Sequence, residues 1–171
     1  MKKGLIISDT HMPRCSKTIP PVLSKYLSEV EIIIHAGDFQ TYDVYENFKT
    51  YKEIIAVYGN NDDKRLKQEL KDKCIFTIEK IRIGLYHGCG VFSKAKISLS
   101  KTMSVFKDEA LDLIIFGHSH KPFLKRVNNT TYFNPGSPTN KRLEKFYSFG
   151  LLTVADNDFT LKHIFYEHKN G

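Results

Sequence analysis

Short unbroken aliphatic runs, each ending in Asp, Asn or His, constrain this chain more than any other feature. Leu5-Ile6-Ile7 leads into Ser8-Asp9-Thr10-His11, and Ile32-Ile33-Ile34 into His35-Ala36-Gly37-Asp38. Ile54-Ile55-Ala56-Val57 leads into Tyr58-Gly59-Asn60-Asn61-Asp62, and Ile81 to Tyr86 into His87-Gly88. Leu113-Ile114-Ile115-Phe116 leads into Gly117-His118-Ser119-His120. Continuous Ile, Leu and Val of this length suit strands buried on both faces. Helical spacing separates them. Val22, Leu23, Tyr26, Leu27 and Val30 follow the tolerated helix start Pro20-Pro21, and Tyr42 to Tyr51 and Lys94 to Lys107 are further helix candidates. In the last third, Phe123 to Val127 and Thr130 to Phe133 flank the turn Asn128-Asn129, and Phe149 to Val154 and Phe159 to Phe165 read as two more strands. The pattern predicts an α/β sandwich of two mixed sheets facing each other, with helices outside.

Ligands gather beyond the carboxyl ends of strands in open α/β sheets. Here five strands deliver Asp9, His11, Asp38, Asn60, His87, His118 and His120 at that end. Any one pair has a plainer reading: Asp9 as a turn cap with His11 on the surface, or His118 and His120 as a polar turn. Joint convergence is what favours a site. Two carboxylates, an amide and four imidazoles suit borderline divalent transition metals, whereas calcium prefers oxygen cages. Seven ligands exceed what one ion takes and fit two ions sharing a carboxylate. Ions ~3.5–4 Å apart can hold a bridging hydroxide and clamp a phosphoryl group for in-line attack.

The ordered motifs Asp9-Thr10-His11, Gly37-Asp38, Gly59-Asn60-Asn61-Asp62, His87-Gly88 and Gly117-His118-Ser119-His120 resemble the calcineurin-like metallophosphoesterase signature. The trailing Asn134-Pro135-Gly136-Ser137 resembles its small prokaryotic phosphodiesterase branch, the YfcE-like proteins. The resemblance runs from residue 4 to about residue 155. It implies a four-layer α/β/β/α sandwich. It also implies that Asp9, His11 and His120 bind one metal, Asn60, His87 and His118 a second, and that Asp38 bridges, with Asp62 orienting its neighbours. Manganese is the leading metal, with nickel, iron, cobalt or zinc as alternatives. Relatives resemble dimers or tetramers, so a homodimer or homotetramer is expected.

Two positions depart from larger members of the family. Where they carry histidine after the asparagine, this chain has Asn61, which donates a hydrogen bond but no proton at neutral pH. Many small relatives read His-Gly-His where this chain reads His87-Gly88-Cys89. Cys89 is a candidate substrate contact or an inert thiol. Arg14, three residues past His11, is a candidate for a phosphate oxygen or an ordinary surface arginine. Asn61, Asp62 and Arg14 complete the candidate catalytic set. His35 reads as structural, His163 and His168 as surface or core fillers, and Phe39, Tyr42 and Phe92 as core packing.

The 171 residues predict one domain, and no apolar run reaches the ~18 residues of a membrane span. Leu5-Ile6-Ile7 is far short of a secretory h-region of ~7–15 residues. With an odd count of three cysteines and no CxxC pair, this predicts a cytoplasmic protein with free thiols. The net charge of +7 is compatible with a nucleic-acid partner, but the lysines are scattered among acids, as in Asp63 to Lys73. The expected activity is hydrolysis of a small phosphodiester. A nuclease or phosphomonoesterase using the same centre, and a non-catalytic scaffold like the retromer subunit of this branch, are the alternatives.

Overall fold

The aliphatic runs form strands, and their side chains alternate between two different interiors. The computed structural model describes residues 1–88 and 95–169. Elements run β1 (Lys2–Ile7), α1 (Pro21–Leu27), β2 (Ile32–His35), α2 (Tyr42–Tyr51), β3 (Glu53–Ala56), α3 (Lys64–Glu69) and β4 (Lys73–Ile78). They continue with β5 (Ile81–Tyr86), α4 (Ala95–Val105), β6 (Leu113–Phe116), β7 (Phe123–Val127), β8 (Thr130–Asn134), β9 (Tyr147–Ala155) and β10 (Asp158–Tyr166). One five-stranded sheet has the order β10-β9-β1-β2-β3, the other β4-β5-β6-β8-β7. Both are mixed: β1, β2 and β3 run parallel with β9 antiparallel, and β5, β6 and β8 run parallel with β4 and β7 antiparallel at the edges.

Strand period two sorts the core. Leu5 and Ile7 of β1 and Ile33 of β2 pack with Leu23, Leu27 and Phe48 of the helices. Ile6 and Ile34, one residue along, pack instead with Leu85, Ile115 and Phe133 of the opposite sheet. Ile114 and Phe116 of β6 turn outward to Leu99 of α4 and Phe106 just after it. Three apolar interiors between four layers make the α/β/β/α sandwich that the sequence predicts.

The helices begin where their sequences allow. Pro20 precedes α1 and its carbonyl accepts from Ser24 N at 3.0 Å. Asp63 caps two helices at once: its carboxylate accepts from Leu66 N of α3 at 2.9 Å and from Tyr42 N of α2 at 2.8 Å. That carboxylate is next in chain to Asp62, so capping holds the Asn60–Asp62 loop against the loop after β2. The expected Asn-Asn hairpin is present, with Val127 paired to Thr130 and Asn128 at φ 54°.

Two elements differ from the sequence reading. The mixed-charge stretch after Asp63 forms α3, and Lys73–Ile78 forms edge strand β4, whose alternating exposure hides it from a search for continuous apolar runs. The Lys94 start of the last helix candidate and Phe92 lie outside the described residues; the described part of that helix is Ala95–Val105. Among the described residues, no helix is long and apolar enough to cross a membrane.

Phe133 is fully buried between the sheets, its ring stacked on His163 at 4.4 Å. Phe133→Ala is expected to lower unfolding free energy by ~3–5 kcal/mol, read from urea denaturation.

Candidate metal centre

The loops after β1, β2, β3, β5 and β6 meet at one rim, where the two sheets come together. Asp9 N donates to Gly37 O at 2.9 Å and His11 N to Asp38 O at 3.0 Å, so the first two loops stay paired beyond their strands. Glycines permit the close approach. A Cβ on Gly59 would lie 2.1 Å from Asp38 Oδ1, and one on Gly117 would lie 1.9 Å from Ser8 Oγ. Asp9, His11, Asp38, His118 and His120 all hold positive φ, between 43° and 70°. Such backbone is uncommon for residues with a side chain and clusters at functional sites.

Donor atoms converge as a metal requires. Asp9, His11 and His120 form one group, and Asp9, Asp38 and His87 another, with each group's ligand atoms within 4.8 Å of one another and every residue buried. His120 Nε2 lies 3.3 Å from Asp9 Oδ1 and 3.2 Å from His11 Nε2. His87 Nε2 lies 3.3 Å from Asp38 Oδ2, and His118 Nδ1 lies 3.1 Å from Asn60 Oδ1. Metal–ligand bonds of ~2.0–2.2 Å at ordinary coordination angles set neighbouring ligand atoms about 3–3.5 Å apart. The spacings therefore fit divalent ions.

Partners outside the rim fix which atom each side chain offers. His87 Nδ1 donates to Ala36 O at 2.7 Å and His120 Nδ1 to Asn140 O at 2.5 Å, which turns both Nε2 atoms inward. Asp9 Oδ2 accepts from Ser8 Oγ at 2.7 Å and His118 N at 2.9 Å. Asp9 Oδ1, His11 Nδ1 and His87 Nε2 are buried and have no hydrogen-bond partner among the described residues, although His87 Nε2 faces Asp38 Oδ2 as a charge pair. Orphaned buried polar atoms are costly, and Asp9 Oδ1 and His87 Nε2 belong to residues of the two donor groups that could hold a cation.

Charge follows the same layout. Burial raises the Asp38 carboxyl, but the His87 ring 3.3 Å away, with Asn61 donating, outweighs it and holds the group well below the usual carboxylate range. Burial pushes His87 down, yet Asp38 and Asp9 hold its proton, up to about 9. Burial lowers His11 against the pull of Asp9 and Asp38, and it lowers His118 with help from His87. Both are neutral near pH 7, the form that ligates.

The other candidates separate. Asn61 donates from its backbone to Asp38 Oδ1 at 2.8 Å and from its amide to Oδ2 at 2.7 Å, so it orients that carboxylate. Asp62 accepts from Gly59 N at 2.7 Å, Asp38 N at 3.1 Å and Gln40 N at 2.7 Å, and burial pushes it up to about 6 against those donors. Arg14 is exposed beyond His11, with its charge acting on that ring. Cys89 lies outside the described residues. His35 is a core residue: Gly37 N donates to its Nδ1 at 3.1 Å, and its ring stacks on Phe39 at 3.5 Å. His163 donates to Asn134 O at 2.8 Å.

Sequence reasoning missed the brace around the rim. Ser137 Oγ donates to Asp9 O at 2.8 Å, and the Thr139 hydroxyl donates to Thr10 O. Asn134 Nδ2 donates to Gly117 O at 2.9 Å while its Oδ1 accepts from Gly136 N at 2.9 Å. The Asn-Pro-Gly-Ser motif was visible, but its partners are more than 100 residues away in the chain for Ser137. Asp62→Ala would orphan three N–H donors. It is expected to weaken divalent-metal binding by ~10–100-fold in calorimetric titration.

Comparison with known proteins agrees with this geometry. Residues 1–157 match the family model of the calcineurin-like phosphoesterase superfamily domain. The chain is 33% identical over 138 residues to a probable metallophosphoesterase of Methanothermobacter thermautotrophicus, covering 81% of this chain and 78% of that one. It is 31% identical over 150 residues to a phosphodiesterase of Methanocaldococcus jannaschii, covering 80% and 83%. A Vps29 single mutant from Entamoeba histolytica shares the fold, with a TM-score of 0.74 at 24% identity over 96% and 99% of the two chains. The chain thus belongs to the calcineurin-like phosphoesterase superfamily and is a hydrolase of that family.

Proposed function

We propose that this chain is a metal-dependent phosphodiesterase acting as one domain with two divalent transition-metal ions. Asp9, His11 and His120 would hold one ion, Asn60, His87 and His118 the other, and Asp38 would lie between them. The observation that carries this reading is the convergence of two buried donor groups that share Asp9, with Asp9 Oδ1 left without a hydrogen-bond donor among the described residues. Divalent ions held there supply Lewis acidity, which polarises a phosphoryl oxygen and makes water nucleophilic near neutral pH. Manganese is our leading choice, with nickel, iron, cobalt and zinc open to the same N/O donors. The phosphodiesterase relative supports a diester as substrate. The free thiols Cys15 and Cys74 suit a reducing compartment, and we place the enzyme in the cytoplasm.

Each side chain has a task. Asp38 stays ionised, and Asn61 fixes the plane of its carboxylate. His87, with Nδ1 committed to Ala36 O, would offer Nε2 to an ion in its neutral form. Asp62 positions the loops that carry Asp38 and Asn60 by binding their backbone N–H groups. No imidazole follows Asn60, and the Asn61 amide is engaged with Asp38, so Asn61 gives the departing alcohol no proton.

Metal-stripped protein is expected to gain activity on bis(p-nitrophenyl) phosphate when Mn²⁺ or Ni²⁺ is added. Asp38→Ala and His87→Ala should each remove at least ~10²-fold of that activity, with circular dichroism confirming the fold. Equal rates with and without chelator would end the proposal. A second measurement concerns the leaving group: alkyl diesters are expected to react more slowly than aryl diesters, by at least the ~10²–10⁴-fold that general acid catalysis supplies. A flat dependence of rate on the leaving alcohol's acidity would reveal a proton donor not identified above.

A further inference from the structure

Just beyond His11 the chain turns, with Cys15 N donating to His11 O at 2.7 Å. The segment from Pro13 to Thr18 then lines, together with Lys169, an open surface cavity of about 320 Å³. Arg14, Lys17 and Lys169 line it, and among the described residues no carboxylate does. Lys169 is held in place: its ammonium donates to Cys15 O and to Thr139 O, the latter at 3.4 Å. It also lies 5.9 Å from the centroid of the Tyr147 ring, which Lys141 approaches at 5.1 Å. The Thr139 hydroxyl in turn donates to Thr10 O, between Asp9 and His11. The cavity wall and the first metal-bearing loop therefore share one brace.

Cations continue from this cavity around the rim. Arg14 acts on His11 and Arg142 on His118. Lys67 Nζ donates to Asn60 O at 2.9 Å. The acids on the cavity-lining and Lys141-bearing segments are Glu144 and Glu167, the second lying 3.8 Å from His168. A concavity lined by Arg14, Lys17 and Lys169 and, among the described residues, by no carboxylate suits a dianionic phosphate, which accepts several charge-assisted hydrogen bonds. The volume is at the lower end of small-molecule sites, room for a phosphate and part of the group that bears it.

We propose that this cavity is an anion subsite for a second phosphate of the substrate, flanking the diester that is cut. The inference rests on the phosphodiesterase reading and names its substrate class: a diester whose neighbouring group ends in a phosphate, as in a 5′-phosphorylated dinucleotide. The cleavage is ordinary hydrolysis. Water oxygen forms the new P–O bond, the bond to the departing alcohol breaks, and that alcohol's oxygen takes a proton released by the water.

The test compares kcat/KM of the Mn²⁺-loaded enzyme on thymidylyl-thymidine with and without a 5′-phosphate. The scissile bond is the same in both. The phosphorylated form is expected to be favoured by about 10–100-fold, the worth of one or two charged hydrogen bonds. Lys17→Gln and Lys169→Gln should each move that ratio toward one; Lys17 is exposed, so its variant decides if the other does not fold. A second readout needs no metal. Titrating chelator-treated protein with inorganic phosphate should shift amide NMR signals of residues 14–18 and 169, and Lys17→Gln should weaken the response. A wild-type ratio near one, with bis(p-nitrophenyl) phosphate still cleaved, overturns the subsite and leaves the phosphodiesterase reading intact. Failure to cleave any diester with any metal overturns that reading instead. The phosphate titration then decides the cavity alone: shifts at those residues support it, and their absence rejects it.

Discussion

Asp9 and Asp38 bring two carboxylates into a place almost closed to solvent, 0% and 1% exposed. Burying an ion costs several kcal/mol unless other groups replace its water. Around Asp38 the replacement is nearly complete, with Asn61 donating twice and His87 at 3.3 Å. Around Asp9 it is half complete: Oδ2 has two donors and Oδ1 has none among the described residues. The surrounding architecture follows from meeting this requirement. Glycines at 37, 59 and 117 let backbones close in, a serine precedes Asp9 to serve it, and Asp62 gathers the N–H groups that would otherwise point at the centre.

The backbone carries part of the cost. Residues with side chains held at positive φ lose about a kcal/mol or more each, and the rim holds several, with Gln40 at 97° among them. A chain selected for stability alone would place glycine there. Retaining Asp and His at these angles is consistent with selection on what their side chains do.

Much of the framework is legible in the amino-acid sequence. Ile6, Ile34 and Ile115 belong to unbroken apolar runs, and only strands covered on both faces can use such runs, so two facing sheets followed. The position of Asp9, Asp38, His87 and His118 along the chain is legible for the same reason: a polar residue soon after such a run lies near the strand's carboxyl end. What escaped was written in alternating or charged sequence. Lys73–Ile78 is half exposed, and Lys64–Glu69 depends on the Asp63 cap more than on an apolar stripe. The hydroxyls of Ser137 and Thr139 escaped because a serine's partner cannot be read from its neighbours; theirs lie in the loop after β1, across the molecule.

The candidate ligands are divided between the two halves of the sandwich. Asp9, His11, Asp38 and Asn60 follow strands of one sheet, while His87, His118 and His120 follow strands of the other. Each proposed ion would therefore be gripped from both sides, like a rivet through two plates. Such a joint tolerates little sliding. A change deep in the shared interior that shifts one plate by a fraction of an ångström would be felt first as lost catalysis, while both plates remained folded.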